Sequence, residues 1–179
     1  MSRIILIFFI TMNLFSFAQE DYKVKTFTTS GDHDAIAILP DGKKFIAESS
    51  GSLDLWDIDS GKKIRTYTTS GNHDAIAVLP DGERFIAESS GSLDLWEIES
   101  GEKIRTYTKS GSHNAIAILP DGKRFIAESS GSLDLWDIES GEKIRTYTKS
   151  GSHKAIAILP DGKRFIAESS GSLDLWEVE

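Results

Sequence analysis

Residues 111–150 read GSHNAIAILPDGKRFIAESSGSLDLWDIESGEKIRTYTKS, and residues 151–179 start the same text again as GSHKAIAILPDGKRFIAESSGSLDLWEVE. Where the two overlap they differ at three places, Asn114/Lys154, Asp137/Glu177 and Ile138/Val178. The same unit runs backwards along the chain. Trp56, Trp96, Trp136 and Trp176 are spaced by 40, as are His33, His73, His113 and His153 and the four prolines from Pro40 to Pro160. A fixed period of this length denotes a solenoid, a propeller or an array. The units run over about 31–70, 71–110, 111–150 and 151–179.

Within a unit the turn signals come quickly. Pro40-Asp41-Gly42 is a turn by its residue types, and Ser50-Gly51 and Ser60-Gly61 are tight-turn candidates. Between them lie runs of strand length: Ala35–Leu39, Phe45–Ser49, Ser52–Ile58 and Lys63–Thr68. No run has helical periodicity, so the unit reads as a four-stranded antiparallel meander. The first two runs are apolar on both faces and predict strands covered on both sides. Polarity rises towards the fourth run, as in sheets stacked face to face around an axis with their first strands innermost. The sequence therefore predicts an all-β propeller of four-stranded antiparallel blades.

The turns also predict register. They place Ile38 opposite Phe45, Phe45 opposite Trp56, and Trp56 opposite Arg65. Trp56, Trp96, Trp136 and Trp176 become structural anchors, since aromatic cross-strand pairs add up to about 1 kcal/mol each. Arg65, Arg105 and Arg145 are expected to lie against these rings. Asp54, Asp94, Asp134 and Asp174 are expected to partner those arginines.

These residues resemble the WD-repeat family of β-propellers. The resemblance rests on AIAILPDGKRFIAESSGSLDLWDIESGEKIRTY, on the 40-residue period, and on Leu-Trp-Asp or Leu-Trp-Glu closing the third strand. It covers nearly all of the chain after residue 18. It implies a non-catalytic protein–protein interaction scaffold. The chain departs from the family pattern in having Gly-x-His (Gly31-Asp32-His33) rather than Gly-His, Ala47 where the family has Ser or Thr, and no Asp in the Ser49-Ser50-Gly51 turn. The family's hydrogen-bond relay is thus carried over only to Trp56 and His33, with His33 expected opposite Ser50.

The N-terminus is a different kind of segment. Arg3 is its one charge before Glu20, Ile4–Ile10 is apolar throughout, and Ser16 and Ala18 are small. This pattern is that of a secretory signal peptide cut after Ala18. It predicts a secreted or periplasmic domain over 19–179 with no membrane span once residues 1–18 are removed. The absence of Cys excludes disulfides and thiolate chemistry. A net charge of −8 argues against nucleic acid.

The run Lys23–Thr28 matches the fourth strand of later units, whereas the last unit stops at its third. The chain thus starts with a spare outer strand and ends with a blade lacking one, so 23–28 is expected to complete the last blade. A four-bladed ring, half of an eight-bladed homodimeric ring with exchanged strands, and a truncated gene product all satisfy this pattern.

No catalytic residue, metal site or cofactor is expected. Identical groups offered four times do not converge as an active site requires. Glu48 and its copies at 88, 128 and 168 are unusual in an apolar strand, and point to the rim or to a buried acid set. The residues that vary fall in the presumed connectors, from Thr29, Asp32 and Asp34 to Lys149, Ser152 and Lys154. The candidate binding face is therefore His33, Asp34, His73, Asp74, His113, Asn114, His153 and Lys154, meeting an unknown protein partner. The alternative is a lectin-like or small-ligand binder with one equivalent site per blade.

Overall fold

A computed structural model describes residues 23–27, 33–67, 71, 73–108, 111, 113–148 and 153–179. The signal-like segment 1–18, and Thr28, Thr29, Asp32, Lys149 and Ser152, lie outside them. The strands are β1 (Ile36–Ile38), β2 (Lys44–Ser49), β3 (Ser52–Asp57), β4 (Lys63–Tyr67), β5 (Ile76–Val78), β6 (Arg84–Ser89), β7 (Ser92–Glu97), β8 (Lys103–Thr108), β9 (Ile116–Ile118), β10 (Arg124–Ser129), β11 (Ser132–Asp137), β12 (Lys143–Thr148), β13 (Ile156–Ile158), β14 (Arg164–Ser169) and β15 (Ser172–Glu177). They form four antiparallel meanders: β1–β4, β5–β8, β9–β12 and the three-stranded β13–β15. The fold is an all-β propeller array, as the repeat predicts. None of the described residues forms a helix long and apolar enough to cross a membrane.

The first two turns behave as their residues dictate. Leu39 to Gly42 is a tight turn in which the Gly42 N–H donates to the Leu39 carbonyl at 2.9 Å, and the Asp41 carboxylate accepts from the Lys43 N–H at 2.9 Å. Ser50 and Gly51 both have positive φ, 49° and 84°, the pairing that suits a two-residue hairpin. Ile38 consequently faces Phe45, and Phe45 faces Trp56.

The third turn differs from the expectation. Its closing bonds run from Asp57 N–H to the Lys62 carbonyl at 3.0 Å and from Gly61 N–H to the Asp57 carbonyl at 2.9 Å, so the loop is longer than Ser60-Gly61 alone. A bulge follows between Leu55 and Trp56. Trp56 now pairs with Lys63, Leu55 with Arg65, and Asp54 with Thr66. A slip of one residue turns every side chain to the other face. Arg65 therefore leaves the Trp56 face, and Ile64, Ile104 and Ile144 become exposed.

Neighbouring blades make the core. Leu39, Ile46, Leu53, Leu55 and Tyr67 of the first blade close on Phe85, Ala87, Trp96 and Ile98 of the second. The second and third blades repeat this contact, as do the third and fourth. In each, the Tyr ring meets the next Phe edge-on at 4.8–4.9 Å between centroids, while Phe and Trp stack. The Tyr67 hydroxyl donates to the Ile98 carbonyl at 3.1 Å, and burial pushes its pKa above the usual phenol range.

The described residues show no such contact between the fourth and first blades. Leu55 is 1% exposed, but its copy Leu175 is 59% exposed, with Leu173 at 74% and Ile166 at 40%. On the first blade Ile36 and Ile38 are 67% and 64% exposed. The blades thus form an open arc, and a four-bladed closed ring is not the arrangement seen. Each uncovered side chain forgoes about 1.5–3 kcal/mol of burial.

Trp96 is buried between the Phe85 and Tyr67 rings, so Trp96→Ala removes a contact that joins two blades. The expected loss of stability is about 3–5 kcal/mol in chemical denaturation. A midpoint equal to that of the unmodified protein would contradict this packing.

Candidate functional site

The candidate face begins where the innermost strands begin. Residues Asp34, Asp74, Asn114 and Lys154 precede β1, β5, β9 and β13, which neighbour one another in that order. Together with the following Ala and Ile of each unit they line one shared cavity at the mouth of the arc. Four near-identical blades thus place their four non-identical residues around a single opening. It carries two carboxylates at one end, an amide, and an ammonium group at the other.

Glutamates hold these positions. Glu88 Oε1 accepts from the Gly91 N–H at 2.6 Å and Oε2 from the Asp74 N–H at 3.3 Å. Glu128 does the same with Gly131 at 2.7 Å and Asn114 at 3.1 Å, and Glu168 with Gly171 at 3.0 Å and Lys154 at 3.2 Å. One buried carboxylate therefore ties the hairpin turn to the connector that presents the variable residue. A charge in an apolar strand is tolerable because backbone N–H groups satisfy it. The rim reading of these glutamates is the one the structure supports. At Glu168 the N–H donors of Gly171 and Lys154 hold the carboxyl below its usual value, opposite to the shift of a buried acid set.

The histidines separate from the face. His73, His113 and His153 are fully buried, correcting their placement as surface binding residues. The His113 Nδ1–H donates to the Glu128 carbonyl at 2.8 Å, which leaves Nε2 to accept from the Thr108 hydroxyl at 2.9 Å. His73 and His153 make the same carbonyl contact to Glu88 and Glu168 at 2.5 and 2.6 Å, and His33 makes it to Glu48. With both ring nitrogens engaged, the His113 imidazole is a brace between connector and strand. His33 is exposed.

The expected Asp–Arg pairs are also corrected. Asp54 lies 3.3 Å from Lys63 Nζ and accepts from the Thr66 hydroxyl at 2.6 Å, and Asp94 and Asp134 repeat this with Lys103 and Thr106 and with Lys143 and Thr146. Lys103 and Lys143 lie over the Trp96 and Trp136 rings at 5.6 and 5.5 Å, the place expected for arginine. The bulge is the cause. Arg65 instead reaches the next blade, donating to the Glu99 and Ser100 carbonyls at 2.6 and 2.9 Å, and Arg105 does so to Glu139 and Ser140. Arg145 lies over Tyr147. The indole N–H groups of all four Trp have no hydrogen-bond partner among the described residues, in keeping with Ala47 where the family carries a hydroxyl. Asp174 has only Ser172 beside it, at 3.3 Å. No group of three or more His, Asp or Glu among the described residues is placed to hold a metal.

No family model and no curated protein matches the chain. Among solved structures, it is similar to a chain of Kuenenia stuttgartiensis hydrazine synthase with a TM-score of 0.73 and 24% identity. The match covers 88% of this chain and 50% of that one, so the chain spans about half its length. This likeness carries the propeller fold alone.

Two outcomes follow. Glu128→Ala strands the Gly131 and Asn114 N–H groups and lowers unfolding stability by about 1–3 kcal/mol; no loss would refute the locking role. Because the folded pKa of Glu168 lies below its ordinary 4.5, its stabilisation is complete above about pH 4.5 and is lost as pH falls through the folded value. An acid titration of Glu168→Gln therefore loses less stability below pH 4.5 than the unmodified protein, and superimposable curves would contradict it.

Proposed function

We propose that the chain is a non-catalytic, extracytoplasmic, WD-repeat-like scaffold that binds a protein partner across the mouth ringed by Asp34, Asp74, Asn114 and Lys154. One observation carries the reading: the units differ where they surround a common opening, so they build one composite surface. A binder with four equivalent sites would need the same group at this place in every blade. The two carboxylates favour a basic patch on the partner, and Lys154 favours an acidic group beyond it. The extracytoplasmic assignment rests on Arg3, the run Ile4–Ile10 and the small residues Ser16 and Ala18.

The test uses a partner captured from the extracytoplasmic fraction, purified, and titrated against two variants. Replacing Asp34, Asp74, Asn114 and Lys154 together by Ala should weaken binding at least about tenfold. Replacing Lys43 and Lys123 by Ala, at the opposite end of the strands, should leave binding unchanged. Equal binding by the first variant overturns the proposal, as do four equivalent sites per chain in calorimetry.

A further inference from the structure

We propose that two copies of this chain close head to tail into an eight-bladed ring, each supplying residues 23–27 as the outer strand of the other's last blade. The inference begins with where those residues sit. Phe27 meets Phe45 edge-on at 4.8 Å, the same contact that Tyr67 makes with Phe85 and Tyr107 with Phe125. The Lys25 ammonium donates to the Ile58 carbonyl at 2.9 Å and to that of Asp59, much as Arg65 grips Glu99 and Ser100. Gly61 leaves room for Lys25 as Gly101 does for Arg65, since an added Cβ would lie 3.3 Å and 2.8 Å from them. Residues 23–27 thus occupy, on the first blade, the seat of an outer strand belonging to a blade before it.

The last blade is the one that fits there. It has three strands, with β15 at its outer edge. Its uncovered Ile166, Leu173 and Leu175 are copies of the Ile46, Leu53 and Leu55 that meet the next blade elsewhere. Asp174 lacks the Thr and Lys neighbours that Asp54, Asp94 and Asp134 have; by the 40-residue period these are Thr26 and Lys23 of a second copy. Charge agrees. Lys44 pairs with Glu99 at 3.2 Å and Arg84 with Glu139 at 2.7 Å across successive blades, and the same relation sets Arg164 against Asp59 of the second copy. Lys154 would likewise stand beside Asp34. The seam therefore repeats, residue for residue, an interface the chain already makes three times.

Stoichiometry follows from closure. A head-to-tail contact either closes into a ring or continues as a fibre. One copy would give four blades, but its end faces do not meet. Two give eight, within the usual range of about four to eight blades, and three would exceed it.

The chain has no Cys, so a disulfide can report the seam directly. Asp54 and Thr66 are directly opposed, which places Asp174 opposite Thr26 of the second copy. A double variant Thr26→Cys, Asp174→Cys should oxidise to a covalent dimer on a non-reducing gel. A bond within one chain would overturn the proposal in favour of a four-bladed ring. A ladder of higher oligomers would overturn closure, and no bond would overturn the pairing. Surface charge reversals guard against a folding defect. Arg164→Glu or Asp59→Arg alone should raise the dimer dissociation constant about tenfold or more, and both together should restore it. Failure of the pair to restore association would also count against the seam. Neither result depends on the partner-binding face.

Discussion

The structure depends on one contact: the face of one blade, with its outer-strand tyrosine, closed against the Phe and Trp of the next. A single blade cannot supply this for itself. Its first two strands are apolar on both sides, and its third carries Leu on one face and Trp on the other. Tyr67 belongs to one sheet by hydrogen bonding and to the next by packing, and its hydroxyl reaches the Ile98 carbonyl there. Arg65 makes a second bridge to the same neighbour's loop. Each outer strand thus fastens two blades, so a missing or borrowed outer strand affects both. Residues 23–27 show the second half of this duty already performed.

Much of the fold is legible in the sequence because its turns are governed by residues with few options. Pro40-Asp41-Gly42 and Ser50-Gly51 leave little freedom, and the first two strand pairings follow from them. The third turn is not legible in the same way. Ser60-Gly61 looks like a two-residue hairpin, but Asp57 draws the chain into a longer loop: its carboxylate accepts from the Ser60 N–H and hydroxyl at 2.7 and 2.6 Å, and its carbonyl accepts from Gly61. Those bonds also hold the Asp57 carboxyl below the usual range. The register slip that results exchanges the roles of Arg65 and Lys63, a change that composition and spacing do not display.

The candidate site divides in the same manner. The variable positions 34, 74, 114 and 154 are visible in the sequence as the places where copies disagree, and the structure brings them to one opening. The histidines beside them look equally available, yet three are buried and His113 is engaged at both nitrogens. The signal that separates the two sets is the glutamate in the second strand. A carboxylate held at a fixed place in an apolar run must be satisfied there, and its partners are the N–H groups of the turn and connector. These glutamates set the geometry of the mouth while the exposed residues supply its chemistry.

An open arc with a spare strand at one end and an unfilled blade at the other makes the number of chains in the particle the central question. Multi-angle light scattering on residues 19–179, over a range of micromolar concentrations, measures it directly. The account predicts the mass of two chains, constant across the range. A mass of one chain, or one that keeps rising with concentration, would contradict it.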